Sequence, residues 1–220
     1  DHIRKKKFIQ KFSENMKTKH KPKISSTDVE PYTKITWKTD FQRFGIVEFS
    51  DYMIDLMHRR VYDIAGVTDK SINVSLNGKK IKIDNFMDYS KMYLSKDEDF
   101  VYSIIDKRWK IGISLSKKDK FEQISFVNGI ATPKGGKHVD YIVKKLLSGI
   151  KSLIEKKHKK TIQENYIKNY LRVFIDSVIE NPSFDSQTKE RLITPQSKFG
   201  SKPNVPDKFI KEIIDKTDIV

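Results

Sequence analysis

"FEQISFVNGIATPKGGKHVDYIVKKLLSGIKSLIEKKHKK", residues 121–160, is the stretch on which the fold turns. Its opening "FEQISFVNGIAT" reads as a strand, and Gly135-Gly136 then breaks the extended segment. Beyond the break Val139, Ile142, Val143, Leu146, Leu147, Ile150, Leu153 and Ile154 recur at three- and four-residue spacing. That places them on one face of a helix of about five turns. Upstream, Ile111, Ile113 and Leu115 mark another strand, expected to pair with 121–132 as a hairpin whose charged end is Lys117 to Lys120. Downstream, "TIQENYIKNYL" reads as a helical piece and "RVFIDSVI" as a strand. Pro206, at a first helical position, opens "PDKFIKEIIDK" with Phe209, Ile210, Ile213 and Ile214 inward.

The N-terminal half carries the same mixture. "INVSLNGKKIKI" alternates apolar residues around Asn77-Gly78, the preferred two-residue hairpin turn. A short helix "NFMDYSKMYL" and a charged loop "SKDEDF" follow. Before them, Ile54, Met57, Val61 and Ile64 form a helical stripe that starts at Ser50-Asp51 and should stop at Gly66. "TKITWKTDF" reads as a strand, and Ile3, Phe8, Ile9, Phe12 and Met16 as a short helical pattern. Strands and helices mix without a strict βαβ rhythm. The class is therefore α+β with a mixed β-sheet packed with helices, or α/β with a mixed sheet.

The 220 residues are 37% hydrophobic, enough for a real core. No apolar run approaches the ~20 residues of a membrane span, so no membrane partner is expected. Without Cys there are no disulfides, thiolate zinc sites or Cys nucleophiles. The first residue is Asp, and the chain is expected to be a piece of a longer one. The net charge of +15 is uneven: residues 1–23 carry nine Lys or Arg against Asp1 and Glu14, and residues 141–170 eight Lys against Glu155 and Glu164. A polyanion such as nucleic acid is the natural partner, set against a Lys-rich surface that merely keeps the chain in solution.

Catalytic constellations are poor. His2, His20, His58, His138 and His158 lie far apart, and His138 reads as a packing or capping residue rather than a general base. Asp97, Glu98 and Asp99 read as a solvated loop, and no metal ligands are assigned. Gly135-Gly136 before a helix is either a phosphate site or a tight turn that aims the helix. Lys156, Lys157, Lys159 and Lys160 are more cations than a helix end requires, which suits binding to phosphate backbone without sequence choice. Gln187, Thr188 and Lys189 put an amide, a hydroxyl and an ammonium on one polar turn, a donor set suited to an anion.

Five blocks, "PYTKITWKTDFQRF", "LMHRRVYDIAG", "VSLNGKKIKIDNFMDY", "ISFVNGIATPKGGKHVDYI" and "IENPSFDSQTKERL", together resemble the type II DNA topoisomerases of eukaryotes and large DNA viruses, in order and over nearly the whole chain. The resemblance implies that residues 1–83 are the C-terminal part of a GHKL ATPase domain. It implies that 84–220 are a transducer domain, similar to the second domain of a small-subunit ribosomal protein, with helices on one side of a mixed sheet. It implies ATP and Mg²⁺ as cofactors, both held mainly outside this chain, and an inactive fragment by itself. Gln187 and Lys189 would contact the γ-phosphate, Lys189 as the catalytic group, with Thr188 between them shaping the turn. Lys156, Lys157, Lys159 and Lys160 would face double-stranded DNA, in a loop slightly shorter than the family's and with Glu155 where relatives can be basic. Further implied are a homodimer in the full enzyme, the remainder of the topoisomerase chain as partner, and a nuclear location, or a host cell or virion if viral. The rival reading is a stand-alone, non-enzymatic basic module whose DNA affinity ignores nucleotide.

Overall fold

A computed structural model describes residues 1–159, 161–217 and 219. It divides into two compact units, Asp1–Ile54 and Asp55–Val220. In the first, β1 (Lys6–Ile9), β2 (Phe12–Ser13), β3 (Thr18–Lys19) and β4 (Lys23–Ser26) form nested antiparallel pairs, β1 with β4 and β2 with β3. The helical pattern expected at residues 3–16 is thus a β-ribbon. Glu14, Asn15 and Met16 all take left-handed backbone angles (φ 53, 54 and 71°), which turn the chain back and forbid a continuing right-handed helix. Residues 33–41 do not form the expected strand either. Ile35 and Trp37 are 81% and 72% exposed, and among the described residues no neighbouring strand pairs with this segment.

Helix α1 (Asp51–Val67) begins where expected: the Ser50 carbonyl and hydroxyl both accept the Met53 N–H. It ends at Val67, one residue beyond the stop expected at Gly66. A side chain on Gly66 would run into the Tyr89 ring, so the glycine lets that ring lie against the helix. The hairpin β5 (Ser75–Leu76) and β6 (Lys79–Lys80) closes through Asn77 and Gly78 at φ 49 and 77°, as the dipeptide dictates. Asn85 caps α2 (Phe86–Lys91) by accepting the Asp88 N–H at 2.9 Å.

The remainder is built on β7 (Val101–Asp106), β8 (Trp109–Leu115), β9 (Glu122–Val127), β10 (Ile130–Ala131), α3 (Lys137–His158), α4 (Glu164–Asn169), β11 (Leu171–Ser177) and α5 (Asp207–Lys216). The five strands form one sheet in the order β10-β9-β11-β8-β7. The hairpin expected between residues 111–115 and 121–132 is therefore absent among the described residues. Strand β11 lies between them, antiparallel to β8 and parallel to β9. All seven of its residues are buried, and a strand covered on both faces takes the centre of a sheet. The long strand expected at 121–132 also folds back at Asn128-Gly129 (φ 50 and 78°) into β10. Strand β7, which is not among the elements expected from the sequence, pairs with β8.

Alternation on β11 sorts two cores. Leu171, Val173 and Ile175 join Trp109, Ile111 and Ile113 against α3 and α5. Phe174 points the other way, with Phe126, to Phe86 and Tyr89 of α2. The long helices cover one face and short α2 the other. Arg172 and Asp176 share the α2 side of β11 and are buried there. Arg172 donates to Glu122 (2.9 Å), to Glu98 (2.7 Å) and to the Tyr93 carbonyl (3.2 Å). Lys117 and Lys118 complete the network on Glu98 and Glu122. Glu98 is accordingly not the solvated loop residue expected from "SKDEDF"; its side chain is 7% exposed and ion-paired.

Candidate functional site

The turn at 187–189 is carried on a pinched loop. Phe184 and Leu192 form an antiparallel bridge at its base, and the Ile193 N–H donates to the Ser183 carbonyl at 2.9 Å. The Asp185 N–H reaches the Arg191 carbonyl at 3.1 Å, so residues 186–190 project beyond a closed neck. The Lys189 N–H closes the tip on the Ser186 carbonyl (3.1 Å), and Lys189 takes φ 58°. Thr188 Oγ1 lies 2.9 Å from Ser186 Oγ, which fits a turn-shaping role. Gln187, Thr188 and Lys189 are exposed, and neither the Gln187 amide nor the Lys189 ammonium has a hydrogen-bond or ion-pair partner among the described residues. The adjoining acid is neutralised: Glu190 holds Lys134 at 2.6 Å, a hydrogen bond that raises the Lys134 pKa above its ordinary value. The tip thus offers a cation and amide donors to an anion.

The neck is fastened to the start of α3. The Leu192 N–H donates to the Gly135 carbonyl and the Lys137 N–H to the Leu192 carbonyl, both at 3.1 Å, while the Lys134 N–H reaches the Glu190 carbonyl at 3.0 Å. Gly136 has φ 131°, and a Cβ there would lie 2.6 Å from the Leu192 nitrogen and closer still to its oxygen. Only glycine fits. The first helical N–H is spent on Leu192, so the Gly-Gly pair joins turn to helix, the structural one of its two sequence readings.

His138 sits in the first turn of α3, fully buried, with Nε2 3.2 Å from Thr132 Oγ1. Burial pushes its pKa down to about 3. This is the packing role expected from the sequence. The unfolded chain binds a proton here below about pH 6.5 while the folded chain stays neutral, so stability falls with pH across the window from 6.5 towards 3. Between pH 6.5 and 4.5, before carboxylates join, His138→Gln is expected to flatten this slope by up to about 1.4 kcal/mol per pH unit, read from denaturant titrations.

At the far end of α3, Lys156 and Lys157 are exposed in the last turn, and Lys159 (φ 53°, exposed) terminates the helix with its N–H on the Glu155 carbonyl. Lys160 lies outside the described residues. Glu155 is half-buried, and its carboxylate accepts the Ile162 N–H at 3.4 Å, tying the loop back onto the helix. The 22 residues of α3 form one rod roughly 33 Å long, with the neck of the turn fastened at its start and the lysines at its end. Among the described residues no three His, Asp or Glu side chains converge on a possible metal site, and no helix is long and apolar enough to cross a membrane. The Arg172 network had no signal in the sequence, because its members come from separate elements up to 79 residues apart.

The chain is similar to known proteins over most of its length. The family model described as DNA gyrase B matches residues 67–220. The chain is 42% identical over 223 residues to "DNA topoisomerase 2" of Arabidopsis thaliana, covering 97% of this chain and 15% of that protein. It is 41% identical over 232 residues to "DNA topoisomerase 2" of Saccharomyces cerevisiae, covering 97% and 16%. The crystal structure of the ATPase region of Saccharomyces cerevisiae topoisomerase II superposes with a TM-score of 0.90 at 42% identity, over 98% of this chain and 55% of that one. The ATPase and transducer domains of DNA topoisomerase II from Balamuthia mandrillaris give a TM-score of 0.85 at 31% identity, over 100% and 57%. The chain spans about 15% of the length of the curated relatives it matches.

Proposed function

Because the chain belongs to the type II DNA topoisomerase family, in its eukaryotic form, we propose that it acts as part of an ATP-dependent topoisomerase, relaying the state of a bound nucleotide to DNA. In this reading residues 1–83 complete a GHKL ATPase domain and 84–220 are the transducer. The observation that carries it is helix α3, tied at one end to the exposed Gln187–Lys189 turn and ending at the other in exposed lysines. A donor-rich tip and a basic loop on a single rod are what a relay between a terminal phosphate and a DNA backbone needs.

ATP, when bound, supplies the terminal phosphate anion, and the donor set of the turn fits it: a full charge from Lys189, neutral N–H donors from Gln187, and Thr188 holding the turn. No described residues are assigned to Mg²⁺. The Lys189 ammonium stabilises charge that builds on the phosphate oxygens as transfer to water proceeds. The same contact exists only while that phosphate is attached, so it biases the position of the whole turn, neck and α3. The lysines at 156–160 then present that movement to duplex DNA held in a homodimer with the rest of the enzyme, in the nucleus or, for a viral enzyme, in the host cell or virion.

Replacing Lys156, Lys157, Lys159 and Lys160 by Ala in the full-length protein tests the far end of the relay. DNA stimulation of ATP hydrolysis should fall, and the salt dependence of DNA affinity should flatten by up to ~0.9 for each phosphate that is no longer neutralised. An unchanged salt slope would move the DNA-binding role elsewhere, with the basic segment at residues 1–23 next in line.

A further inference from the structure

The lysines at the end of α3 do not stand alone. Lys211 of α5 shares with Lys156 and Lys157 the rim of a groove of about 290 Å³, floored by Leu153, Ile154 and Ile214, with Asp215 also on its edge. The two helices are fixed against one another. Ile210 and Ile213 of α5 are buried in the core shared with α3, and Gly149 of α3 makes room for the Ile210 side chain, which any larger residue would displace. Lys156, Lys157 and Lys211 are exposed and carry no ion pair among the described residues. Lys216, further along α5, is by contrast held by Glu212 at 2.6 Å.

We infer that Lys211 is a further phosphate-contacting residue, and that the groove is a two-helix cradle for the backbone of duplex DNA. The inference rests on the reading of the lysine loop as the DNA-facing element and adds a second wall to it. Three lysine stems laid along an apolar floor keep their ammonium groups at the rim. An anion there meets positive charge from both helices, over a surface whose low polarisability strengthens the field. A single flexible loop has no such geometry to offer. Asp215 works against the cradle, since its carboxylate repels the same phosphate. The groove offers no element to read base edges, so binding is indifferent to sequence.

The experiment is the affinity of the full-length protein for one duplex DNA, measured against salt concentration. Lys211→Gln is expected to reduce the slope of log affinity on log salt by about 0.9, so that the drop in affinity between about 50 and about 200 mM salt shrinks roughly threefold. Asp215→Asn is expected to tighten binding, and Lys216→Gln, whose charge is already paired, to leave the slope unchanged. A normal slope in Lys211→Gln, alongside a flattened slope when Lys156 and Lys157 are replaced by Gln, overturns the inference while the lysine-loop reading stands. Normal slopes in both variants remove that reading as well.

Discussion

Lys189→Ala, placed in the full-length protein, is expected to lower ATP hydrolysis by ~10²–10³-fold, about 2.7–4 kcal/mol of transition-state stabilisation, while ADP affinity stays nearly unchanged. The asymmetry follows from what the residue touches: ADP lacks the phosphate that the ammonium addresses. Nothing inside the fold depends on this side chain, which is exposed and without a partner among the described residues, so the loss cannot be traced to unfolding. The substitution also leaves the turn in place, because Lys189 shapes it through its backbone N–H on Ser186. Gln187→Ala acts in the same direction but more weakly, since a neutral amide carries no full charge. Steady-state hydrolysis and ADP titration of the same preparation separate the two effects. Normal hydrolysis by Lys189→Ala would reduce the turn to a well-closed loop and withdraw its role in the relay.

Arg172→Met is expected to cost about 3–5 kcal/mol of folding stability, a large part of the ~5–15 kcal/mol a domain has. The guanidinium is the hub that reaches Glu122, Glu98 and the Tyr93 carbonyl from the centre of the sheet. Its removal leaves two mostly buried carboxylates with Lys117 and Lys118 at the rim as their cations, beside the Ser95 N–H on Glu98 and the Ser116 hydroxyl on Glu122. Both acids titrate low. Burial opposes this at Glu98, but the Ser95 N–H, Lys117 and Arg172 outweigh it. Glu122 is held down to about 2, first by the Lys118 hydrogen bond and then, against burial, by Arg172. Depressed carboxylates stabilise the fold above their unfolded pKa near 4.5, and this is lost as pH falls towards 2. Denaturant midpoints should therefore show the wild type losing stability over that acid window and Arg172→Met losing less, from a lower start. The triple change Arg172→Met, Glu98→Gln, Glu122→Gln should recover part of the loss, because it removes the stranded charges. If Arg172→Met proved as stable as the wild type, the network would be an ornament of the surface rather than a centre of the fold.

What could be read from residues alone was whatever local chemistry decides. Asn77-Gly78 imposed its hairpin, the eight apolar positions from Val139 to Ile154 imposed α3, and the short helix expected in "NFMDYSKMYL" is α2. The same dipeptide at Asn128-Gly129 is masked by the long apolar run around it, although its backbone requirement is the same. Strand order was beyond local reading, because β8 and β9 look like natural partners until a strand some fifty residues later separates them. Residues 33–41 have the alternation of a strand without a described neighbour to complete the ladder, and alternation alone makes no hydrogen bonds. At the candidate site the donors on the turn were legible as donors, but only the resemblance suggested which anion they address. Lys211 was invisible for a different reason: which residue of α5 stands beside the end of α3 depends on how Ile210 seats over Gly149.

The central place of β11 also dictates an order of events when the chain is made. A ribosome releases β8 and β9 well before β11, and until residues 171–177 emerge each of the earlier strands presents a bare row of N–H and C=O groups to its surroundings. Neither can complete its ladder with the other in the native register, since the place between them is reserved. Helix α3 emerges in that interval with its apolar face still lacking the centre of the sheet beneath it. The nascent chain is therefore most vulnerable to wrong pairing in the few seconds between about residue 127 and residue 177, at ~5–20 residues per second. The strand that holds the finished sheet together is also the one whose late arrival leaves the unfinished sheet open to strangers.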